Sequence, residues 1–271
     1  MERRVIVTGA GSGIGLASAL EAARLGFGVV AAVHREPQVA DVQRVARDSR
    51  VEVDVEVLDV TDDARATELM ERHRPWGLVN AAGLLSPGLL ADTPPSEARL
   101  HLEVMVLAPV RLAQLALPAM RREGGGRIVN VSSVLGDENG PMLGWYEAAK
   151  QALSTVSDTM RQELAHDGID VVLIEPGPYA TPIWRKAQSS LLQRRELSDE
   201  PDVYDRTRVV LEALEAASGD PDEVARVVGT ALRAGHPPFR YRVGPGTSVT
   251  FLARAVPTSV RDRFTRALAG I

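Results

Sequence analysis

The sequence predicts an α/β protein: a parallel sheet with helices on both faces. Two observations carry that expectation. Short apolar, β-branched runs alternate with longer helix-period patterns through the first two-thirds of the chain. Such alternation needs right-handed crossovers between parallel strands. The first of these runs also leads directly into a glycine-rich turn and then a helix.

Val5-Ile6-Val7 is the first expected strand. The turn reads Thr8-Gly9-Ala10-Gly11-Ser12-Gly13-Ile14-Gly15, and Ile14, Ala17, Ala19, Leu20 and Ala23 then follow helical spacing up to Gly26. Strand, glycine turn and helix together make a nucleotide phosphate site. Glycines let the backbone approach a pyrophosphate, and the unpaired first amides of the helix point at it. The spacing is G-x-x-x-G-x-G through Gly9, Gly13 and Gly15. Ile14 breaks the alternative G-x-G-x-x-G fingerprint, and the absence of G-K-[ST] excludes a triphosphate loop. Further strands are expected at 29–33, 51–58, 78–79, 127–131 and 171–174, with long helices over 97–120 and 146–167.

After Pro182 the pattern changes. Residues 183–219 carry two charged helical stretches and no strand. Asp220-Pro221-Asp222-Glu223 then opens a helix with Asp220 as its N-cap and Val224, Val227, Val228, Ala231 and Leu232 as its apolar stripe, ending at Gly235. A last strand is expected at 240–243 and a short helix from Pro257 onward. The expectation is one domain over 1–271. A core spans 1–182, a helical flap 183–219, and a C-terminal helix, strand and tail 220–271.

Composition bounds the function. The chain has 271 residues, 45% apolar and 25% charged, which suits one globular domain. A net charge of −5 gives no footprint for nucleic acid. Cysteine is absent and the five histidines show no ligand spacing, so no metal site is expected. Met1-Glu2-Arg3-Arg4 runs into a strand without a signal-like apolar region, and no apolar run is read as reaching the ~18 residues that span a bilayer. The expectation is a cytoplasmic protein without a membrane span.

The chemistry rests on three side chains. Tyr146 and Lys150 stand at i and i+4, on one face of a helix. An ammonium there favours phenolate, so the spacing predicts a tyrosine with a lowered pKa that passes protons near neutral pH. Ser133 ends the strand Ile128-Val129-Asn130-Val131, 13 positions before Tyr146. A hydroxyl at that end of the sheet can donate to a substrate carbonyl oxygen while tyrosine protonates it. It can also simply cap the following turn.

Thr8–Gly15, Asn80-Ala81-Ala82-Gly83, Ser133, Tyr146-x-x-x-Lys150 and Pro176-Gly177 together resemble the short-chain dehydrogenase/reductase family in order and spacing. The resemblance covers residues 1–182 well and the tail loosely. It implies a Rossmann-type doubly wound sheet and a nicotinamide cofactor. Thr8, Gly9, Ser12, Gly13, Ile14 and Gly15 would form the cofactor turn. Ser133 would orient the carbonyl, and Tyr146 would act as acid/base. Lys150 would bind the nicotinamide ribose and tune Tyr146. Asn80, Ala81, Ala82 and Gly83 would support the cofactor beside the sheet. Pro176, Gly177 and Thr181 would shape the nicotinamide pocket. Asp59, with Val60 beside it, matches the adenine-contacting position. A homodimer or homotetramer is also implied.

The second strand's end bears on cofactor choice. NAD sites place an acid there for the ribose 2′-OH. Here the stretch is Ala32-Val33-His34-Arg35, and no acid precedes Glu36. Arg35, flanked by His34, can pair with a 2′-phosphate, so NADP(H) is expected over NAD(H). One departure from the family stands in Glu103-Val104-Met105-Val106-Leu107-Ala108-Pro109. Met105 occupies the place of an asparagine that helps hold a proton-relay water, and a thioether cannot reproduce those hydrogen bonds.

The resulting expectation is NADP(H)-dependent interconversion of an apolar ketone or aldehyde with its alcohol. The alternatives are a redox-neutral enzyme of the same fold (dehydration, isomerisation or cyclisation) and a non-catalytic nucleotide sensor. The apolar residues Ile183, Trp184, Leu191, Leu192, Tyr204 and Leu211 either give the flap a face that covers a small-molecule substrate, an apolar carbonyl or secondary alcohol of moderate size, or pack the flap itself or a subunit interface. Six arginines against one acid after position 239 either pair with acids elsewhere or meet an anionic partner or membrane surface.

Overall fold

Seven parallel strands order the structure, a computed structural model that describes residues 3–137, 139–247 and 256–270. They are β1 (Arg4–Thr8), β2 (Gly28–Val33), β3 (Asp54–Val57), β4 (Gly77–Asn80), β5 (Gly126–Val131), β6 (Ile169–Pro176) and β7 (Arg240–Val243). Their spatial order is β3-β2-β1-β4-β5-β6-β7, and each neighbouring pair is parallel. The helices are α1 (Gly13–Arg24), α2 (Pro37–Asp48), α3 (Asp63–His73), α4 (Pro95–Leu102), α5 (Ala108–Arg122), α6 (Gly144–Glu163), α7 (Ile183–Arg195), α8 (Pro201–Ala216), α9 (Pro221–Arg233) and α10 (Thr258–Ala269).

The five inner strands, β1, β2, β4, β5 and β6, are largely apolar because both of their faces are buried, whereas the edge strands β3 and β7 are polar and partly exposed. Val5, Val7, Val29, Ala31 and Val33 pack with Ala19 and Ala22 of α1, Val42 of α2 and Val228 of α9. The alternate residues Ile6, Val30, Ala32, Leu78 and Ile128 pack with Leu69 of α3, Leu112 and Ala116 of α5 and Met160 of α6. Period-2 alternation thus assigns each strand side chain to one of two helical layers. Between β1 and β4 the strand order reverses, which opens a crevice at the carboxyl ends of the sheet.

The last strand is anchored by charge. Glu175 of β6 is 1% exposed. Arg240 and Arg242 of β7 both donate to it, and Arg240 also pairs with Asp158. Two of the six C-terminal arginines therefore do pair with acids elsewhere. Arg254 lies outside the described residues. Asp220 caps α9 as expected, accepting from the Asp222 amide at 3.0 Å.

Four features differ from the sequence reading. β3 begins at Asp54 rather than at 51, because it is an edge strand and the Val51 amide instead closes α2 by donating to Ala46 O. The helix expected over 97–120 contains a π turn, Glu103–Leu107, between α4 and α5. Pro109 has no N–H to offer the carbonyl of Met105, which removes one i to i−4 bond where the extra residue enters. The 146–167 helix ends at Glu163 and continues as a 3₁₀ turn, Ala165–Asp167. Finally, the helical run Pro95–Arg122 is long and apolar enough to cross a membrane by length and composition, with a mean hydropathy of 1.5. The sequence reading excluded such a run by counting only uninterrupted apolar residues. In the fold its Leu112, Ala113, Ala116 and Met120 are fully buried against the sheet.

Candidate active site

A cleft of about 690 Å³ lies over the reversal between β1 and β4. One wall is the glycine turn. Gly9 has φ +66°, and a Cβ there would fall 2.8 Å from the Ala81 carbonyl oxygen and from Ala82. A Cβ at Gly15 would collide with the Gly9 carbonyl oxygen. Only glycine lets the turn close this tightly against the next strand's loop. Ser12, at the N-cap of α1, makes no side-chain bond to the first turn. The leading amides of α1 are therefore left for an anion, and Ser12, Gly13 and Ile14 all line the cleft. This cradle fits the pyrophosphate of a dinucleotide. Thr8 does not line it. Buried beneath, its Oγ1 accepts from the amides of Ala81 (3.1 Å) and Ala82 (3.3 Å) and ties β1 to the loop after β4.

His34, Arg35, Asp59 and Val60 line the far end of the cleft. Arg35 is exposed and its side chain makes no ion pair among the described residues. Burial pushes the Asp59 carboxyl up, but bonds from the Thr61 amide (2.9 Å) and hydroxyl (2.8 Å), with His34 nearby, outweigh it and hold the group below the usual range. That end of the cleft thus presents a free guanidinium and a carboxylate already satisfied by its neighbours.

Ser133, Tyr146 and Lys150 come together at the other end. Tyr146 and Lys150 line the cleft, and Ser133 lies against Tyr146 as its hydrogen-bond partner. Ser133 Oγ also accepts from the Leu135 amide at 3.2 Å, so it caps the following turn, the second of the roles considered for it. Lys150 Nζ donates to Val131 O at 2.8 Å and stands 5.8 Å from the Tyr146 ring centre. Burial pulls its pKa down to about 8. Burial likewise pushes the Tyr146 phenol up; the bond from Ser133 pulls it down but does not win, and Glu147 adds to the rise. The expected lowering by Lys150 is therefore corrected: desolvation of the phenol is the dominant effect in this geometry.

Several expected contacts form a second layer. Asn80 is buried under the floor, where it donates to Asn130 Oδ1 at 2.8 Å, and Asn130 donates in turn to Ser157 Oγ at 2.8 Å. This amide chain fixes β4 and β5 against α6. Gly15, Pro176 and Gly177 also lie behind the surface, whereas Ala81, Ala82, Gly83 and Thr181 reach it. Met105 is 1% exposed and packs with Tyr146 and Ala149 in the layer behind the tyrosine.

Sequence reasoning missed Gln38, Thr61 and Ser132. Gln38 lines the cleft, and its Oε1 accepts from the Arg35 amide at 3.0 Å. Its side chain lies over Gly11, where a Cβ would collide with Nε2. Pro37 at the first position of α2 was the available signal, since it fixes the helix start that aims Gln38 back at Arg35. Ser132 points to α6, donating to Lys150 O at 3.1 Å.

A reversal-point cleft, a glycine cradle and a Ser-Tyr-Lys set define a dinucleotide-fold oxidoreductase. The chain belongs to the short chain dehydrogenase family, which it matches over residues 3–191. It is 33% identical to the uncharacterized oxidoreductase YusZ of Bacillus subtilis, over 93% of this chain and 92% of that protein. It is 31% identical to the NADPH-dependent 3-dehydrocapnine reductase of Ornithobacterium rhinotracheale, over 90% and 88% respectively. A variant of actinorhodin polyketide ketoreductase, solved with NADPH, has a similar fold, with a TM-score of 0.76 at 26% identity over 91% of this chain and 97% of that one. The chain is therefore an oxidoreductase of this family, whose fold binds a nicotinamide cofactor.

Proposed function

We propose that the protein is an NADP(H)-dependent reductase that interconverts a largely apolar ketone or aldehyde with its alcohol. The observation that supports this is that Tyr146 and Lys150, with Ser133 bonded to Tyr146 just behind the surface, meet at the cleft that also holds the glycine turn. The cofactor, when bound, supplies or accepts hydride. The amides of Gly13 and Ile14 would hold its pyrophosphate, and Arg35 its 2′-phosphate. Asp59 and Val60 would lie beside its adenine, and Lys150 by its nicotinamide ribose. Ser133 would orient the carbonyl oxygen, and Tyr146 would deliver a proton to it. Burial keeps the Tyr146 phenol protonated at neutral pH, which suits the reductive direction.

The preference for NADP(H) rests on the free Arg35 and on the lack of an acid before Glu36. Parallel titration with NADPH and NADH, followed by nicotinamide fluorescence, tests it without knowledge of the substrate. Tight NADPH binding with weak NADH binding is expected; equal affinities remove the preference. One observation favours a second reading. Met105, a thioether packed behind Tyr146, lacks the hydrogen bonds of the family's relay asparagine, which suits a redox-neutral step. Under that reading NADPH binds, yet no carbonyl compound in a broad panel oxidises it.

A further inference from the structure

Three segments wall the outer part of the cleft, and each turns from apolar to polar in the same direction. After β4, Leu84 and Leu85 precede Ser86. On the helical run through α4, Val104 packs with Tyr146, and Leu100 and Glu97 follow outward. Glu97 is seven residues from Val104, about 10 Å along a helix axis. On α7, Ile183, Lys186 and Ser190 share one face at i, i+3 and i+7. The Ser86 and Ser190 hydroxyls bond at 2.7 Å, so the polar ends of two segments meet.

Charge at that end is unbalanced. Arg194 stands behind the wall, ion-paired with Glu97 and donating to Ser86 Oγ at 3.3 Å and Thr93 Oγ1 at 2.9 Å. It therefore neutralises Glu97 from within the protein. Lys186 lines the cleft, and its ammonium has no hydrogen-bond or ion-pair partner among the described residues. The outer wall thus carries one uncompensated positive charge, beside a bonded pair of hydroxyls that leaves one O–H free to donate, on a protein whose net charge is −5. A wholly apolar ligand would leave these groups facing hydrocarbon.

We infer that the substrate is an amphipathic oxo-acid. Its ketone or aldehyde reaches Tyr146, an apolar spacer crosses Leu84, Leu85 and Val104, and an anionic oxygen group meets Lys186, Ser86 and Ser190. A carboxylate or a sulfonate fulfils this chemistry equally. The inference rests on the reductase reading above.

The test compares kcat/KM for a medium-chain oxo-acid and its uncharged methyl ester in the natural protein, Lys186→Gln and Lys186→Glu, with NADPH affinity measured separately. The natural protein is expected to prefer the acid by about fivefold to tenfold, as for one partly exposed ion pair supported by a hydroxyl donor. Lys186→Gln brings the ratio close to parity, and Lys186→Glu inverts it, while NADPH affinity holds. An acid-to-ester ratio near parity in the natural protein, or one that both variants preserve, overturns the inference: Lys186 then only meets solvent. A marked loss of NADPH affinity in Lys186→Gln overturns it too, by assigning the ammonium to the cofactor. If neither compound is reduced although NADPH binds, the reductase reading fails. Thermal shift by acid against ester then decides the anion site separately, and no acid-specific shift overturns it.

Discussion

Tyr146 and Lys150 on the floor of the cleft, with Ser133 behind Tyr146, are placed by backbone: β5 leads into Ser133, and α6 carries the other two on one face. Beneath them Asn80, Asn130 and Ser157 are buried and bonded to one another. The helices over the cleft are held differently. Arg194 of α7 pairs with Glu97, Tyr204 of α8 donates to Asp92 at 2.8 Å, and Ser198 between them donates to the same carboxylate at 2.6 Å. The floor is fixed by the sheet and α6, whereas the cover has an apolar cluster of its own, Trp184, Leu191, Tyr204 and Leu211 with Leu85 and Met142, tied to distant segments by polar side chains. Those apolar flap residues pack within the cover rather than facing the substrate, and of the set named from the sequence Ile183 alone lines the cleft. The difference implies that reaction chemistry and substrate choice can vary separately in this chain.

The largest expected effect breaks the floor. Tyr146→Phe removes the proposed proton donor and is expected to lower kcat by about a thousandfold, with NADPH affinity retained in a fluorescence titration. Retained turnover would dismiss Tyr146 as the acid. The floor also sets the pH response. The Lys150 ammonium exists below its pKa of about 8 and is lost as pH rises through it. An alkaline limb in kcat/KM near pH 8 is therefore expected, falling up to tenfold per pH unit, and its persistence in Lys150→Arg would assign it to another group. Arg35→Ala is expected to weaken NADPH binding about tenfold while leaving NADH nearly unaffected, since it deletes the charge-assisted contact proposed for the 2′-phosphate, which NADH lacks.

The cover gives smaller effects. Arg194→Ala leaves Glu97 without its partner and is expected to cost about 2 kcal/mol, read as a lower Tm. KM for substrate should rise severalfold at nearly constant kcat; an equal loss in kcat would mean that floor and cover are not separable. Met105→Asn tests the layer behind Tyr146, with at most about a threefold gain in carbonyl reduction expected if proton supply limits turnover. No change would show that this position does not limit it.

What the sequence reveals follows the same division. The glycine turn, Ser133 and the Tyr146–Lys150 pair are legible because each depends on local spacing within one strand, turn or helix. The direction of the Tyr146 pKa is not, because spacing displays the ammonium but not the burial that outweighs it. Gln38 escapes because its place depends on Gly11, 27 positions earlier. The π turn at 103–107 leaves one mark in the sequence, Pro109 inside a helical pattern. The polar outer wall is invisible for another reason. Ser86, Glu97 and Ser190 are ordinary polar residues until folding sets them against one cleft.

The buried Glu175 carboxylate has a consequence for synthesis on the ribosome. Its two arginine partners follow it by 65 and 67 positions. Until β7 emerges, the nascent sheet ends in a strand carrying an uncompensated acid, and an apolar edge interrupted by such a charge resists pairing with a neighbouring chain. Completion of the sheet therefore waits on residues translated 65 and 67 positions after the acid. A chain released before Arg240 keeps its glycine turn and its Ser-Tyr-Lys set and still carries a charge that the native interior cannot accept alone.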